Sequence, residues 1–367
     1  MHLLTRPATL LLAALLATSA QAAPPHKKAH KARPAASKGR DAPVQGTLPY
    51  AGRADAMAFA DELADRRQLD RGWTRRVLGQ ARLLPGVPRL MLPPATPAAK
   101  NWQAYRSRFV EPLRIAAGVR FWDEHAGALA KAEAEYGVPA EVIVGILGVE
   151  TIYGQQMGRY RVLDALATLA FDFPAEHPRA GERQAYFRSE LEQFLSQVWR
   201  NGGDAQAPLG SYAGAMGMPQ FMPSSWNRYA VDFDGDGRID LFHSADDAIG
   251  SVANYFKSYG WQTGMPTHYP VHFDPQHTDK EALLLPDILP TFSVASFTAK
   301  GALLDEAGLR HPGQLALIEL QNGGAEPSYI AGTENFYVIT RYNWSSYYAL
   351  AVIELGQAAA AARDRKP

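Results

Sequence analysis

The chain has 367 residues, 47% of them apolar, so it can bury a large core in two or three lobes. Its 37 basic and 37 acidic residues cancel, and nothing in the charge indicates a general nucleic-acid or polyanion binder. Because cysteine is absent, structural disulfides, thiol catalysis, thiolate metal sites and lipid attachment through an N-terminal cysteine are excluded.

Residues 1–22 have the pattern of a secretory signal peptide. Arg6 supplies the positive end, residues 8–17 are mostly Leu and Ala, and Ala20-Gln21-Ala22 is a small-residue cleavage site. The apolar run is too short to span a bilayer as a helix of the mature protein. We therefore expect a soluble periplasmic protein whose mature chain has no transmembrane segment, with an uncleaved anchor as the alternative.

Residues 23–46 are rich in Lys, Arg, Pro and Ala and cannot bury a core, so they are predicted to be a disordered basic tether. The tether is either a solvated spacer or a segment attracted to anionic wall polymers or lipid head groups.

The rest of the chain is predicted to be mainly α. Helical spacing of apolar residues covers residues 54–82, 102–136, 138–154, 163–170, 182–199 and 245–259. Beyond Gly260 the runs are shorter and β-rich, including residues 314–320 and 336–342. Residues 348–362 return to a helix, which we expect to pack against the N-terminal helices.

One carboxyl group is predicted on a buried helix face. Glu150 follows Ile143, Ile146 and Leu147 by seven, four and three residues, so the four share a face near the end of a helix. An apolar setting and the negative end of the helix dipole both raise a carboxyl pKa, as a general acid requires. Gly145 and Gly148 indicate close backbone approach or tight packing on the same helix, and Thr151 and Tyr153 offer polar and stacking contacts beside a cleft.

Four ordered segments of this chain resemble the lytic murein transglycosylase B family. They are GVETIYG at 148–154, SYAGAMGMPQFMPSSW at 211–226, AIGSVANYF at 248–256 and NFYVITRYN at 335–343. The likeness covers roughly residues 48–357. It implies a mainly α (α+β) fold in which a lysozyme-like core at 100–263 carries the cleft. Helices at 47–99 flank this core, a small β-containing lobe occupies 264–332, and a segment at 333–360 returns to the cleft.

The resemblance implies an enzyme that cleaves the β-1,4 bond between N-acetylmuramic acid and N-acetylglucosamine in peptidoglycan glycan strands without hydrolysis. Glu150 would first be the acid for the glycosidic oxygen and then the base for the C6 hydroxyl of muramic acid, giving 1,6-anhydro ends. This explains why no second carboxylate stands out beside Glu150, although most glycosidases use two. The matching substrate-binding positions are Tyr105, Tyr153, Arg183, Ser211, Gln220, Asn254, Tyr255, Tyr337 and Tyr342.

An Asp-rich loop predicts a structural calcium site. Asp232, Asp234, Asp236 and Asp240 take positions 1, 3, 5 and 9 of an EF-hand-like pattern, with Gly237 at position 6 and the carbonyl of Arg238 at position 7. Position 12 is His243, where a glutamate is usual. The resemblance implies a longer loop closed by Asp247, with Asp246 as the alternative, and a structural role for Ca²⁺ in bracing the segment after Trp226. We expect no organic cofactor.

Other classes of function fit less well. The segment around Ser211 lacks the nucleophile-elbow spacing of a serine hydrolase, and no His-Glu-x-x-His run supports a zinc peptidase. The non-enzymatic alternative is an inactive, calcium-stabilised cell-wall-binding protein. The expected partners are peptidoglycan and other cell-wall enzymes, and no nucleic acid.

Overall fold

The computed structural model describes residues 43–93 and 100–365. The predicted signal peptide and nearly all of the predicted tether lie outside the described residues. The predicted tether end at residue 46 is wrong, because the Val44 amide already donates to the Arg159 carbonyl at 2.9 Å and Gly46 lies against Arg82. Searched over the same ranges, no helix is both long and apolar enough to cross a membrane.

Helices make up most of the described chain, as predicted. A 3₁₀ turn at Tyr50–Gly52 precedes α1 (Ala54–Arg67), α2 (Arg71–Gln80), α3 (Val87–Leu90), α4 (Trp102–Arg106), α5 (Pro112–Glu124), α6 (Ala126–Tyr136), α7 (Ala140–Thr151), α8 (Val162–Phe171), α9 (Ala180–Arg200), α10 (Pro223–Tyr229), α11 (Ala245–Ser258), α12 (Lys280–Leu284), α13 (Val294–Thr298), α14 (Glu306–Leu309), α15 (Glu334–Thr340) and α16 (Ser346–Asp364).

The β-structure is small and antiparallel. Its strands are β1 (Tyr160–Arg161), β2 (Leu209–Gly210), β3 (His268–Phe273), β4 (Phe292–Ser293), β5 (Ala302–Leu304), β6 (Gln314–Asn322) and β7 (Ala325–Gly332). β1 pairs with β2 beside α8, and the other five form one sheet in the order β4-β6-β7-β3-β5. This sheet and α12 to α14 have their own apolar cluster around Leu283, Phe297 and Leu315. We call the unit formed by residues 264–332 the β lobe.

Helix α7 lies at the centre of the large core, and α16 packs closely along it. A Cβ on Gly145 would be 2.2 Å from the Val352 carbonyl oxygen, and one on Gly356 would be 2.0 Å from that of Glu141. No side chain fits at such distances, so glycine permits the two backbones to touch. The prediction is confirmed as close backbone approach at Gly145 and as tight packing at Gly148, whose Cβ would lie 2.4 Å from the Tyr153 hydroxyl and 2.7 Å from Leu355 on α16.

Two predictions for the C-terminal part are wrong. Residues 336–340 belong to α15 and residues 341–342 follow it as a turn, so this run is not a strand; the Thr333 hydroxyl accepts from the amides of Asn335 and Phe336 and begins the helix. This cap and the burial of Phe336 and Ile339 outweigh the strand preference of the run Phe-Tyr-Val-Ile-Thr. Helix α16 packs on α7 and α5, and not on the N-terminal helices, since its small residues fit the glycines of the core.

Candidate active site

Glu150 lies in the last turn of α7, on the face predicted from the spacing. Ile143, Ile146 and Leu147 are buried, whereas Glu150 itself is half-buried. The helix therefore presents one carboxyl group at the edge of an apolar surface.

The chain reverses sharply directly after this carboxyl group. Ile152, Tyr153 and Gly154 all have positive φ values, of 51°, 56° and 85°. The conformation is unfavourable for a β-branched residue such as Ile152 and costs of order 1–3 kcal/mol per strained residue. Amides of Ile152 and Tyr153 donate to the carbonyls of Gly148 and Leu147, which closes the helix end. Strain of this kind accumulates where a functional group must be held in place.

Tyr348 is the direct partner of Glu150. Its hydroxyl donates to Glu150 Oε1 at 2.5 Å. Burial raises the pKa of Glu150 from its usual 4.5 to about 7, and the hydrogen bond from Tyr348 partly opposes that rise. Near neutral pH the carboxyl group therefore exchanges readily between its acid and base forms. We did not predict Tyr348 from the sequence, because it is 198 residues away and lies on a helix assigned only to packing.

Aromatic side chains surround the carboxyl group. Tyr342 stacks on Tyr348 at 6.4 Å between ring centroids, and Tyr255 lies 4.8 Å from Tyr342. Burial and the charge of Glu150 raise the pKa of Tyr105 to about 12 and raise that of Tyr342 well above its usual value. Among the described residues, Glu150 is the one carboxyl group that acts on both tyrosines in this way. The structure thus brings together Glu150, Tyr105, Tyr255 and Tyr342 of the predicted set.

The segment from Ser211 to Met222, here called the Gln220 loop, is attached to the end of α7. Thr151 donates its hydroxyl to the Met218 carbonyl at 2.8 Å and accepts the Gly154 amide at 2.9 Å. Tyr342 donates to the Pro219 carbonyl at 2.5 Å. Gln220, with a positive φ of 52°, donates its amide to the Met157 and Gly217 carbonyls. The loop and Glu150 are consequently fixed relative to each other.

The remaining predicted positions have mixed surroundings. Ser211 Oγ accepts the amides of Ala213 and Ala215, and Asn254 donates to the Tyr229 carbonyl, so both side chains support the fold locally. Tyr337 packs on Trp344 at 5.9 Å and accepts from Arg341 at 3.2 Å.

Arg183 is buried on α9 among aromatic rings. Its guanidinium lies 5.5 and 5.3 Å from the ring centroids of Tyr186 and Phe187. Burial lowers its pKa, and Nη1 has no hydrogen-bond partner among the described residues. The side chain also acts electrostatically on Tyr212, next to Ser211 in the Gln220 loop. Arg183 is therefore a cation near the loop with an unused donor.

The prediction that Tyr153 contacts a ligand is wrong. Its ring stacks on Phe121 at 5.1 Å, and its hydroxyl lies against the backbones of Gly118 and Gly148. The positive φ of Tyr153 turns the side chain under α7, into the core and away from Glu150. Sequence adjacency to the acid suggested the opposite.

The Asp-rich loop brings three carboxylates together. One oxygen each from Asp232, Asp234 and Asp247 lies within 4.8 Å of the others. Asp247 is buried at the start of α11 and accepts the amides of Phe233 and Asp240, both at 2.7 Å. Hard oxygen donors converging on one point fit Ca²⁺.

The other predicted ligands of this loop face elsewhere. Asp236 accepts the Arg238 amide at 2.8 Å, and Asp240 accepts the amides of Phe242 and His243. Neither carboxylate belongs to the cluster of three. Asp246, the alternative closing residue, pairs with His125 at 3.3 Å, so Asp247 is the acid that faces the loop.

Comparisons with known proteins identify the family. The sequence model of the transglycosylase SLT domain matches residues 52–357. Membrane-bound lytic murein transglycosylase B of Escherichia coli strain K12 is 42% identical over 324 residues, which are 86% of this chain and 85% of that protein. The chain belongs to the lytic transglycosylase family.

Solved structures of lytic transglycosylases have the same fold. SltB1 of Pseudomonas aeruginosa is 41% identical with a TM-score of 0.78, over 86% of this chain and 99% of that chain. Slt35 of Escherichia coli in complex with calcium is 40% identical with a TM-score of 0.74, over 88% and 97%. The predicted family and the predicted fold class, a mainly α lysozyme-like core with a small β lobe, are confirmed.

Proposed function

We propose that this lytic transglycosylase cleaves the β-1,4 bond between N-acetylmuramic acid and N-acetylglucosamine in peptidoglycan, with Glu150 acting as both acid and base. One observation carries the mechanism: a single half-buried carboxyl group, with its pKa raised to about 7, is enclosed by tyrosines. A hydrolase of the usual two-carboxylate kind would need a second acid about 5 to 10 Å away.

In the first step the protonated Glu150 donates its proton to the glycosidic oxygen. The C1–O bond of muramic acid breaks, and N-acetylglucosamine leaves with that proton. The substrate's own N-acetyl carbonyl stabilises the positive charge that develops at C1, so an enzyme nucleophile is unnecessary. Glu150 is left as a carboxylate, which the Tyr348 hydroxyl stabilises at 2.5 Å.

In the second step the Glu150 carboxylate takes the proton from the C6 hydroxyl of the same muramic acid. The C6 oxygen attacks C1 and forms the 1,6-anhydro ring, and Glu150 is again protonated for the next cycle. Because one carboxyl group serves as both acid and base, its optimal pKa is close to the working pH. The value of about 7 meets that condition.

Tyr105, Tyr255 and Tyr342 are proposed to line the sugar subsites, since tyrosine rings pack on apolar pyranose faces. Ser211 would orient the saccharide through its hydroxyl proton and Gln220 through its side-chain oxygen, the groups that their local hydrogen bonds leave unused. Thr151 holds the Gln220 loop next to the acid. The contact of Arg183 with a lactyl or peptide carboxylate stays a prediction, because its unpartnered Nη1 is buried. The roles of Tyr337 and Asn254 as substrate contacts stay predictions.

We further propose that the cluster of Asp232, Asp234 and Asp247 holds a structural Ca²⁺. The loop contacts two helices of the core, because Lys131 on α6 donates to the Phe233 carbonyl at 2.7 Å and Gly250 on α11 lies against the Phe233 ring. A cation there would neutralise three carboxylates and brace the segment that follows α10. No chemical step requires it.

The signal-peptide pattern of residues 1–22 supports export to the periplasm, where peptidoglycan lies. Other cell-wall enzymes as partners also stay a prediction.

The test is product analysis by mass spectrometry after digestion of purified peptidoglycan. Wild type should release muramic acid with 1,6-anhydro ends, and Glu150→Gln should release none. If wild type released only reducing ends, a hydrolase would replace the proposed transglycosylase. If Glu150→Gln kept the wild-type rate, the proposed acid would be wrong.

A further inference from the structure

A second cavity lies where the β lobe meets α16 and is separate from the site around Glu150. Its volume is about 190 Å³. A single water molecule needs only about 10–15 Å³ of such space, so the cavity is large enough for an amino-acid side chain. Its walls come from β6, from the segment after α12, from the start of α16 and from Lys100.

Groups of both charges line this cavity. Lys100 is a basic lining residue, and Asp287 and Glu319 are acidic ones. The Glu319 carboxylate is held in place, because it accepts from the Tyr329 hydroxyl at 2.9 Å and from the Gln321 amide at 3.1 Å. Leu284 and Ile288 add apolar surface. A complementary ligand carries a carboxylate, an ammonium group and some hydrocarbon.

Backbone geometry constrains two of the charged lining residues. The Lys100 carbonyl accepts the Gly323 amide at 3.0 Å, which attaches this residue to the turn between β6 and β7. Asp287, another lining residue, has a positive φ of 56°. Non-glycine residues persist in this conformation where the surrounding structure determines it, and aspartate tolerates it better than most.

One aromatic ring lies between the cavity wall and Tyr105. Tyr347 forms part of the cavity wall and donates to the Gln321 carbonyl at 3.1 Å. The same ring lies 5.8 Å from that of Tyr105, which borders the cleft. The next residue, Tyr348, is the hydrogen-bond partner of Glu150. A substituent on a sugar in the cleft is therefore close to the cavity.

We propose that this cavity binds the zwitterionic end of a peptide stem on the glycan strand, specifically a diamino acid with a free ammonium and a free carboxylate on its terminal carbon. The proposal rests on the proposed function, since it assumes a peptidoglycan strand in the cleft. The sugars carry no ammonium group, so only a stem supplies both charges. Lys100 bonds to the carboxylate, Asp287 and Glu319 bond to the ammonium, and Leu284 and Ile288 cover the methylene chain.

The test compares two substrates, namely strands with peptide stems and bare strands from which an amidase has removed them. Lys100→Met and Asp287→Asn each remove one charge, and asparagine keeps the tolerance for positive φ. Lys257→Met, an exposed lysine on α11, is the control. We expect kcat/KM on stem-bearing strands to fall roughly tenfold in both variants, mainly through KM, because each loses a charge-assisted hydrogen bond. Bare strands should be cleaved at the wild-type rate.

A third substrate, with the terminal carboxylate of the diamino acid amidated, makes the assignment of Lys100 specific. On this substrate Lys100→Met should match wild type, whereas Asp287→Asn should still be impaired. Equal losses on stem-bearing and bare strands, or no loss on either, would overturn the proposal. The bare strands also test the proposed function separately, because wild type must release anhydro ends from them whatever the cavity binds.

Discussion

Replacing Glu150 with glutamine should stabilise the protein in a pH-dependent way while abolishing its activity. The pKa of this carboxyl group is raised from 4.5 to about 7 in the folded protein, so the folded state binds the proton more tightly than the unfolded state. The contribution of Glu150 to the free energy of unfolding is therefore fully retained below pH 4.5 and is lost as the pH rises from 4.5 to 7. Glutamine keeps the shape, can accept from Tyr348 and has no charge to desolvate.

The magnitude follows from the pKa difference. Each unit corresponds to about 1.4 kcal/mol, so at pH 8 the ionised Glu150 lowers the free energy of unfolding by up to about 3 kcal/mol. Glu150→Gln should recover this amount at pH 8 and none of it at pH 4, which at pH 8 corresponds to roughly 5 °C in Tm. General acid–base catalysis typically contributes about 10²- to 10⁴-fold to a rate. Because Glu150→Gln removes both the acid and the base, wall solubilisation should slow by at least the lower of these factors.

Calorimetric Tm values for wild type and variant, measured at half-unit steps between pH 4 and pH 8, check the reasoning. The exposed Glu62 on α1 provides the control variant Glu62→Gln, whose Tm difference from wild type should be small and flat with pH. A difference for Glu150→Gln that did not grow with pH would refute the burial argument, even if the activity were lost.

Four other predictions follow from the same contacts. Tyr348→Phe removes a donor that lowers the pKa of Glu150, so the alkaline limb of the pH–rate profile should move to higher pH; an unmoved limb would contradict the role of this bond. Thr151→Val should cost about 1–3 kcal/mol in a denaturant titration and slow wall solubilisation by loosening the Gln220 loop, whereas Thr151→Ser should resemble wild type. Gly356→Val should prevent folding because its Cβ meets a carbonyl oxygen at 2.0 Å, while Gly52→Ala, with nothing within 4 Å, should give wild-type soluble yield. EDTA should lower Tm and added calcium restore it, and equal Tm values would remove calcium from the account.

Local patterns in the sequence correctly determined several parts of this protein. The spacing of Ile143, Ile146 and Leu147 placed Glu150 on an apolar helix face, and Gly145 marked the contact with another backbone. Alternating aspartates located the loop in which Asp232 and two other carboxylates converge. These features depend on residues within about ten positions of each other, where helix and loop geometry is nearly fixed.

The tertiary structure decided which distant residues meet at the site. Tyr348 bonds to Glu150 only because α16 packs along α7, and no short-range pattern reports that contact. Tyr153 is adjacent to the acid in sequence, yet a left-handed turn sends it into the core. Residues 336–340 have strand-forming side chains and still lie in α15, because the Thr333 cap and burial against the core outweigh their preference. Helical periodicity predicts which face of a segment is buried, whereas its partner is chosen by the fit of whole surfaces in the core.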